Sequence, residues 1–167
     1  LLDEIGDMSF DLQSKILRVL EEKKFYRLGS QKPVEFDCRI IASTNKDLEH
    51  EIKKKRFRED LYFRLNSISI ELPNLRERKS DIPLLIESFL AKYKNNNDQL
   101  KIIDEEFLKV FMDYDWPGNI RELENSIKKL VLMVPDSELT INSVKSHLPK
   151  ILRNFETKEK TINFNKL

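Results

Sequence analysis

Trp116-Pro117-Gly118-Asn119-Ile120-Arg121-Glu122-Leu123 is the stretch that decides how this chain is read. Pro117-Gly118 forces a turn, Asn119 is placed to cap the helix that follows, and Glu122 stands three residues later in the capping-box position. Ile120, Leu123, Ile127, Leu130 and Val131 recur at helical spacing and give that helix its apolar side. Arg121 then falls at the second helical position. A guanidinium beside free backbone N–H groups there makes a phosphate site. The structural alternative is a surface ion pair between Arg121 and Glu124.

Working outward, the chain around this motif reads as almost purely helical from Leu72 onward. Ile82, Leu85, Ile86, Phe89, Leu90 and Tyr93 form one stripe, with Pro83 tolerated in the first turn. Asn95 to Asp98 reads as a loop, Asp104 as the cap of a helix over Glu105 to Met112, and Ser143 to Leu148 as a last short helix. After Pro149 the polar sequence suggests a linker.

The first part alternates. Ser9 is placed to cap a helix over Phe10 to Lys24, whose apolar residues are Phe10, Leu12, Ile16, Leu17 and Leu20. Phe25 to Leu28 reads as a short strand or arm closed by Gly29. Val34 to Cys38 alternates like a half-exposed strand that continues through Ile40-Ile41-Ala42 into a buried sheet. Asp47 to Lys55 and Phe57 to Leu65 read as helices, and Ile68, Ile70 and Leu72 as a further strand ended by Pro73. The expected organisation is an α/β layer over residues 1–73, a helical part over 74–150 and a linker or tail over 151–167.

Composition narrows the chemistry. The 167 residues carry a net charge of +1, so only a local patch could hold nucleic acid. The three glycines, Gly6, Gly29 and Gly118, form neither a GxxxxGK phosphate loop nor a GxGxxG fingerprint. Cys38 is the only cysteine, which excludes an internal disulfide. His50 and His147 stand in no metal-ligand spacing, and no GxSxG elbow occurs. The apolar run Leu130 to Pro135 is far too short to cross a membrane. The opening on Leu1-Leu2 rather than Met, without a leader, suggests an internal fragment whose upstream strand is cut away, in a cytoplasmic setting.

Four further constellations carry chemistry. Leu1-Leu2-Asp3-Glu4 puts two carboxylates at the tip of an apolar strand, where a hydrated Mg²⁺ is a natural partner; two leucines and an acid pair also arise without a site. Ile40 to Asn45 delivers an amide at a second strand tip, to orient water or touch a phosphate, or to close the strand in an Asx turn. Lys53 to Arg58 carries five positive charges in six residues, flanked by acids, as a solvated face or a weak candidate for DNA. Arg58 and Arg64 are six residues apart, about 240° around a helix, so one straight helix cannot aim both at one ligand. An ion pair from Asp60 to Arg64 is the plain alternative.

Taken together and in this order, these strings resemble the later part of the AAA+ domain of bacterial sigma-54-dependent transcriptional activators. The matching residues are Leu2 to Met8, Gln13 to Leu20, Phe25 to Gly29, Ala42 to Leu48, Phe57 to Leu65, Leu72 to Arg78 and Trp116 to Leu123. The resemblance covers residues 1 to about 150. It implies an α/β AAA+ core fragment, of the phosphate-loop NTPase kind, followed by an all-α helical lid.

The resemblance further implies ATP and Mg²⁺ as cofactors, bound between subunits of a hexameric ring. Asp3 and Glu4 would be the Walker B pair, Asp3 as metal ligand and Glu4 activating water. Asn45, with Thr44 beside it, matches sensor I. Arg58 and Arg64 match arginine fingers serving a neighbour's nucleotide, which removes the need for a shared helix face, and Arg121 matches sensor II. The hairpin around Phe25 to Pro33 corresponds to a pore loop that couples hydrolysis to remodelling of sigma-54 RNA polymerase holoenzyme. The family's phosphate loop, its GAFTGA-type loop and its DNA-binding helix-turn-helix are not in this sequence. The parent is then an ATPase that regulates transcription and meets DNA only through another domain. The alternative is a non-enzymatic AAA+ remnant that acts as an interaction module.

Overall fold

In the computed structural model, which describes residues 1–94, 102–134, 138–153 and 155, two units separate at Leu1–Glu71 and Leu72–Leu167. In the first, helix α1 (Phe10–Glu22) ends where Lys23 turns left-handed at φ 53° and its N–H returns to Val19 O. Lys24 then opens a hairpin. Strand β1 (Lys24–Tyr26) pairs antiparallel with β2 (Pro33–Glu35), Lys24 opposite Glu35 and Phe25 opposite Val34. Ser9 precedes α1 as expected, but its carbonyl rather than its hydroxyl serves the helix, accepting from Gln13 N–H.

Helices α2 (Leu48–Lys53) and α3 (Glu59–Leu65) follow, α2 capped by the Asp47 carboxylate, which accepts from His50 N–H at 3.0 Å. Ile5, Phe57 and Leu61 are buried together, with Leu2, Ile16, Leu17, Leu20 and Ile52 packed around them. Two expectations for this unit fail. Ile40 and Ile41 are exposed, and the pairing there is a single parallel bridge, Leu2 to Ala42. Ile68 and Ile70 are about 80% exposed and form no strand. Alternation identifies a strand only when neighbours pair and cover it, and among the described residues none does. Phe10 and Leu12 are also exposed, while Gln13 on the same helix is fully buried.

The second unit is helical with one small sheet. Helices α4 (Ile82–Tyr93), α5 (Glu105–Asp113), α6 (Asn119–Met133) and α7 (Ile141–His147) surround a core that includes Ile86, Phe107, Phe111, Trp116, Leu123, Ile127 and Leu130. Strands β3 (Ile102–Ile103) and β4 (Glu138–Leu139) pair in parallel, a feature the sequence did not signal because two residues carry no period. Asp104 caps α5, its carboxylate accepting from Phe107 N–H at 2.6 Å. Thr140 and Ser143 form a capping box, so α7 starts two residues before the expected Ser143. The Phe107 and Phe111 rings stack at 4.2 Å, and Trp116 meets Tyr114 edge-on at 5.0 Å.

Ile151 and Leu152 are buried in this core and Phe155 packs against it, so these residues belong to the helical unit rather than to a linker. The expected loop at Asn95 to Asp98 lies outside the described residues. Among the described residues, no helix is long and apolar enough to cross a membrane.

Candidate functional site

Backbone pairing brings the two acidic and amide tips together. Leu2 N–H donates to Ile41 O at 2.8 Å, Ser43 N–H to Leu2 O at 2.9 Å, and Ile5 N–H to Ser43 O at 2.9 Å. Asp3-Glu4 and Ser43-Thr44-Asn45 therefore leave the same end of two adjacent parallel segments. The Ser43 hydroxyl donates to Asp3 Oδ1 at 2.5 Å, which fixes that carboxylate, and the Asp3, Glu4 and Asn45 side chains are exposed. Glu4 holds a left-handed conformation, φ 51° and ψ 47°, that L residues reach at a cost.

The segment after Glu4 is packed hard against the second tip. A Cβ on Gly6 would meet Thr44 Oγ1 at 2.7 Å and Lys46 Cβ at 3.2 Å, so only glycine lets the two chains approach this closely. Lys46 Nζ donates to Gly6 O at 3.2 Å and pairs with Asp7. Thr44 Oγ1 accepts from Lys46 N–H at 3.1 Å, so the turn into α2 is made by Thr44 and Asp47, and the Asx turn considered for Asn45 is not the one used. Among the described residues no three His, Cys, Asp or Glu side chains gather as a metal cage. Two adjacent exposed carboxylates, one already oriented, suit Mg²⁺, which keeps its waters and takes one or two carboxylates plus phosphate oxygens.

Arg58 and Arg64 stand at the two ends of α3. Arg58 is its N-cap residue in extended backbone, and Arg64 lies in its last turn. The break that the 240° offset requires is therefore present. Arg58 forms a fork with Asp60, Nε to Oδ1 at 3.0 Å and Nη2 to Oδ2 at 2.6 Å. That hydrogen bond holds the Asp60 carboxyl below its usual range and raises the guanidinium. The Asp60–Arg64 pair is not formed; Arg64 Nη2 donates instead to Leu20 O at 3.2 Å.

In the helical unit the Trp116–Leu123 string folds differently from its reading. Trp116 and Asn119 are both left-handed, at φ 47° and 53°, and Asn119 N–H closes the turn onto Trp116 O at 2.8 Å. Gly118 is the N-cap, and it must be glycine because a Cβ would lie 2.8 Å from Glu122 Cβ. Glu122 does cap, accepting from Gly118 N–H at 2.8 Å. The Asn119 amide does not; its Oδ1 accepts from Leu75 N–H at 2.8 Å and ties the start of α6 to the start of this unit.

Arg121 is the third residue of α6, exposed, and lines an open groove of about 690 Å³ with Gly118, Asn125, Lys129 and Lys150. Glu124 pairs with Lys92 and Tyr93, not with Arg121.

One neighbour of Arg58, named above only within the matching string Gln13 to Leu20, has contacts that were not read from the sequence. Gln13 interrupts the α1 stripe and is fully buried, its amide donating to Met8 O at 2.8 Å and Arg56 O at 3.0 Å and accepting from Arg58 N–H at 2.9 Å. A polar residue inside an apolar stripe was the available signal.

Residues 1–71 match the family described as the sigma-54 interaction domain, and residues 76–162 match the AAA+ ATPase lid domain. The DNA-binding transcriptional regulator NtrC of Proteus hauseri is 47% identical over 97% of this chain and 34% of its own length. A protein in the HyuA 5′ region of Pseudomonas sp. strain NS671 is 44% identical over 89% of this chain and 50% of its own. The crystal structure of NtrX from Brucella abortus in complex with ADP superposes with a TM-score of 0.77 at 37% identity, covering 85% of this chain and 33% of that one. The chain thus spans half or less of the length of these relatives. By both matched domains, it belongs to the sigma-54 activator family of AAA+ proteins.

Proposed function

We propose that this chain supplies the hydrolytic and lid elements of an ATP-dependent activator of sigma-54 RNA polymerase holoenzyme. The observation that carries the reading is the Leu2–Ala42 bridge, which sets Asp3-Glu4 beside Ser43-Thr44-Asn45 at one end of two parallel segments. NtrX, the structural relative, is described with ADP and with ATP. When bound, ATP with Mg²⁺ supplies the anhydride to be cleaved and the charge that offsets its phosphates.

Asp3, oriented by Ser43, is the residue to hold the metal ion. Glu4, free of a partner among the described residues, accepts the proton of the attacking water at its carboxylate. Asn45 and Thr44 orient that water and the terminal phosphate. Arg58 and Arg64 face the nucleotide of a neighbouring subunit in a hexameric ring. Arg121, unpaired among the described residues at the start of α6, answers to the phosphates of its own subunit. The hairpin β1–β2, with Leu28 at its exposed tip, carries the motion to the polymerase. DNA is met through a part of the parent outside these residues, and the setting is cytoplasmic.

Assembly dependence tests this directly. In the parent protein, ATP turnover per subunit should rise with concentration as rings form. Arg58→Ala should lower turnover of the assembled ring by about 10³-fold or more, the scale of an arginine finger in GTPases. Unchanged turnover in Arg58→Ala at matched assembly would return that arginine to the surface.

A further inference from the structure

Resting on the reading of Arg58 as the group that serves a neighbouring subunit, we propose that Gln13 and Ser14 of α1 form a cradle that positions Arg58 and ties it to the acidic tip of its own subunit. Phe10, Gln13 and Ser14 share one face of α1 by their three- and four-residue spacing. All three are turned to Arg58. The Gln13 carbonyl accepts from its backbone N–H at 2.9 Å, and Ser14 Oγ accepts from Nη1 at 3.1 Å. The guanidinium lies over the Phe10 ring at 5.4 Å from the centroid, which accounts for an aromatic residue left outside the core.

The buried amide has a second job. Its Nε2 holds Arg56 O at 3.0 Å and Met8 O at 2.8 Å, and Met8 closes the short 3₁₀ turn Ile5–Asp7 that follows Asp3-Glu4. One fully buried side chain therefore joins the segment behind the acidic pair to the residue at the head of α3. Buried polar groups are costly unless satisfied, and here three hydrogen bonds satisfy this one. With Asp60 and Ser14 engaged, three of the five guanidinium N–H groups are directed within the subunit. The remaining two can meet a phosphate. The cradle sets where they point, and a shift at the acidic tip reaches them through a single amide.

Turnover and nucleotide affinity of the parent protein test this, measured in Gln13→Met, Ser14→Ala and Arg58→Ala and in each double variant with Arg58→Ala. Gln13→Met should lower turnover of assembled rings by about 10- to 100-fold, as for small misplacements of a catalytic group. Ser14→Ala, which α1 tolerates and which carries the test if the buried substitution unfolds the unit, should lower it about three- to tenfold, the worth of one hydrogen bond. Affinity of the subunit for ATP should not change. In the Arg58→Ala background neither substitution should matter beyond about twofold.

Normal turnover in Gln13→Met and Ser14→Ala, with turnover lost in Arg58→Ala, would overturn the cradle alone. A loss that persists in the Arg58→Ala background would overturn it too, because the two residues would then act elsewhere. Normal turnover in Arg58→Ala by itself would remove the reading on which the cradle rests.

Discussion

Gly6 and Glu4 show how tightly the acidic tip is made. Glu4 sits left-handed, a conformation that costs an L residue about 1–2 kcal/mol, and the chain two residues later runs against Thr44 and Lys46 with no room for a side chain. The hydroxyl of Ser43 on Asp3 completes a local arrangement in which one tip holds the other. Gly6→Ala should therefore destabilise the first unit by about 1–3 kcal/mol, because the clash falls on Thr44 Oγ1 and on the base of Lys46 rather than on a free side-chain end. Equilibrium denaturation of the parent protein and its Gly6→Ala form measures this, and equal stabilities would mean that the tips are not held together as described. The acids were readable from Asp3-Glu4 as letters. The role of Gly6 was not, since a glycine justified by a partner forty residues away leaves no local trace.

At the scale of elements, what could be read was what is local. Asp47 and Asp104 cap the helices they precede because a cap and its N–H lie three residues apart in the chain. Asn119 fails the same test because its amide is taken by Leu75, forty-four residues away. Ile68 and Ile70 alternate like a strand yet stay exposed, because a strand is a property of two segments and the sequence shows one.

Within the helical unit, Trp116 is the residue the motif protects. It is almost fully buried, and its indole N–H donates to Phe111 O at 2.8 Å. Trp116→Ala should cost about 3–5 kcal/mol of stability in that unit, as measured by denaturant unfolding, whereas a change under about 1 kcal/mol would show that the turn folds without its anchor. The Lys92–Glu124–Tyr93 group gives this unit a pH signature. Hydrogen bonds from Lys92 and then Tyr93 lower the Glu124 carboxyl from its ordinary value of 4.5. A lowered folded value means the contribution is complete above about pH 4.5 and is lost as pH falls through the folded value. Acidification below that point should destabilise the native protein more than Glu124→Gln. Identical acid curves for the two would show that the pair does not couple to folding.

For the whole molecule, three glycines in 167 residues first count against nucleotide chemistry, since none builds a phosphate loop. Two of them now have structural reasons that belong to the family's later motifs. Gly6 lets the acidic and amide tips meet, and Gly118 starts the helix that carries Arg121. Leu1–Glu71 carries the paired tips and Leu72–Leu167 forms the other unit. Under the proposed function, hydrolysis in the parent would combine these tips with a phosphate-binding loop outside these residues and an arginine from a neighbouring subunit. The most direct test of that division is ATP hydrolysis and ATP binding by the parent protein with Glu4→Gln. Binding and ring assembly should persist while turnover falls to background. Hydrolysis at the unsubstituted rate would contradict the assignment of the Asp3-Glu4 tip as the place where water is activated.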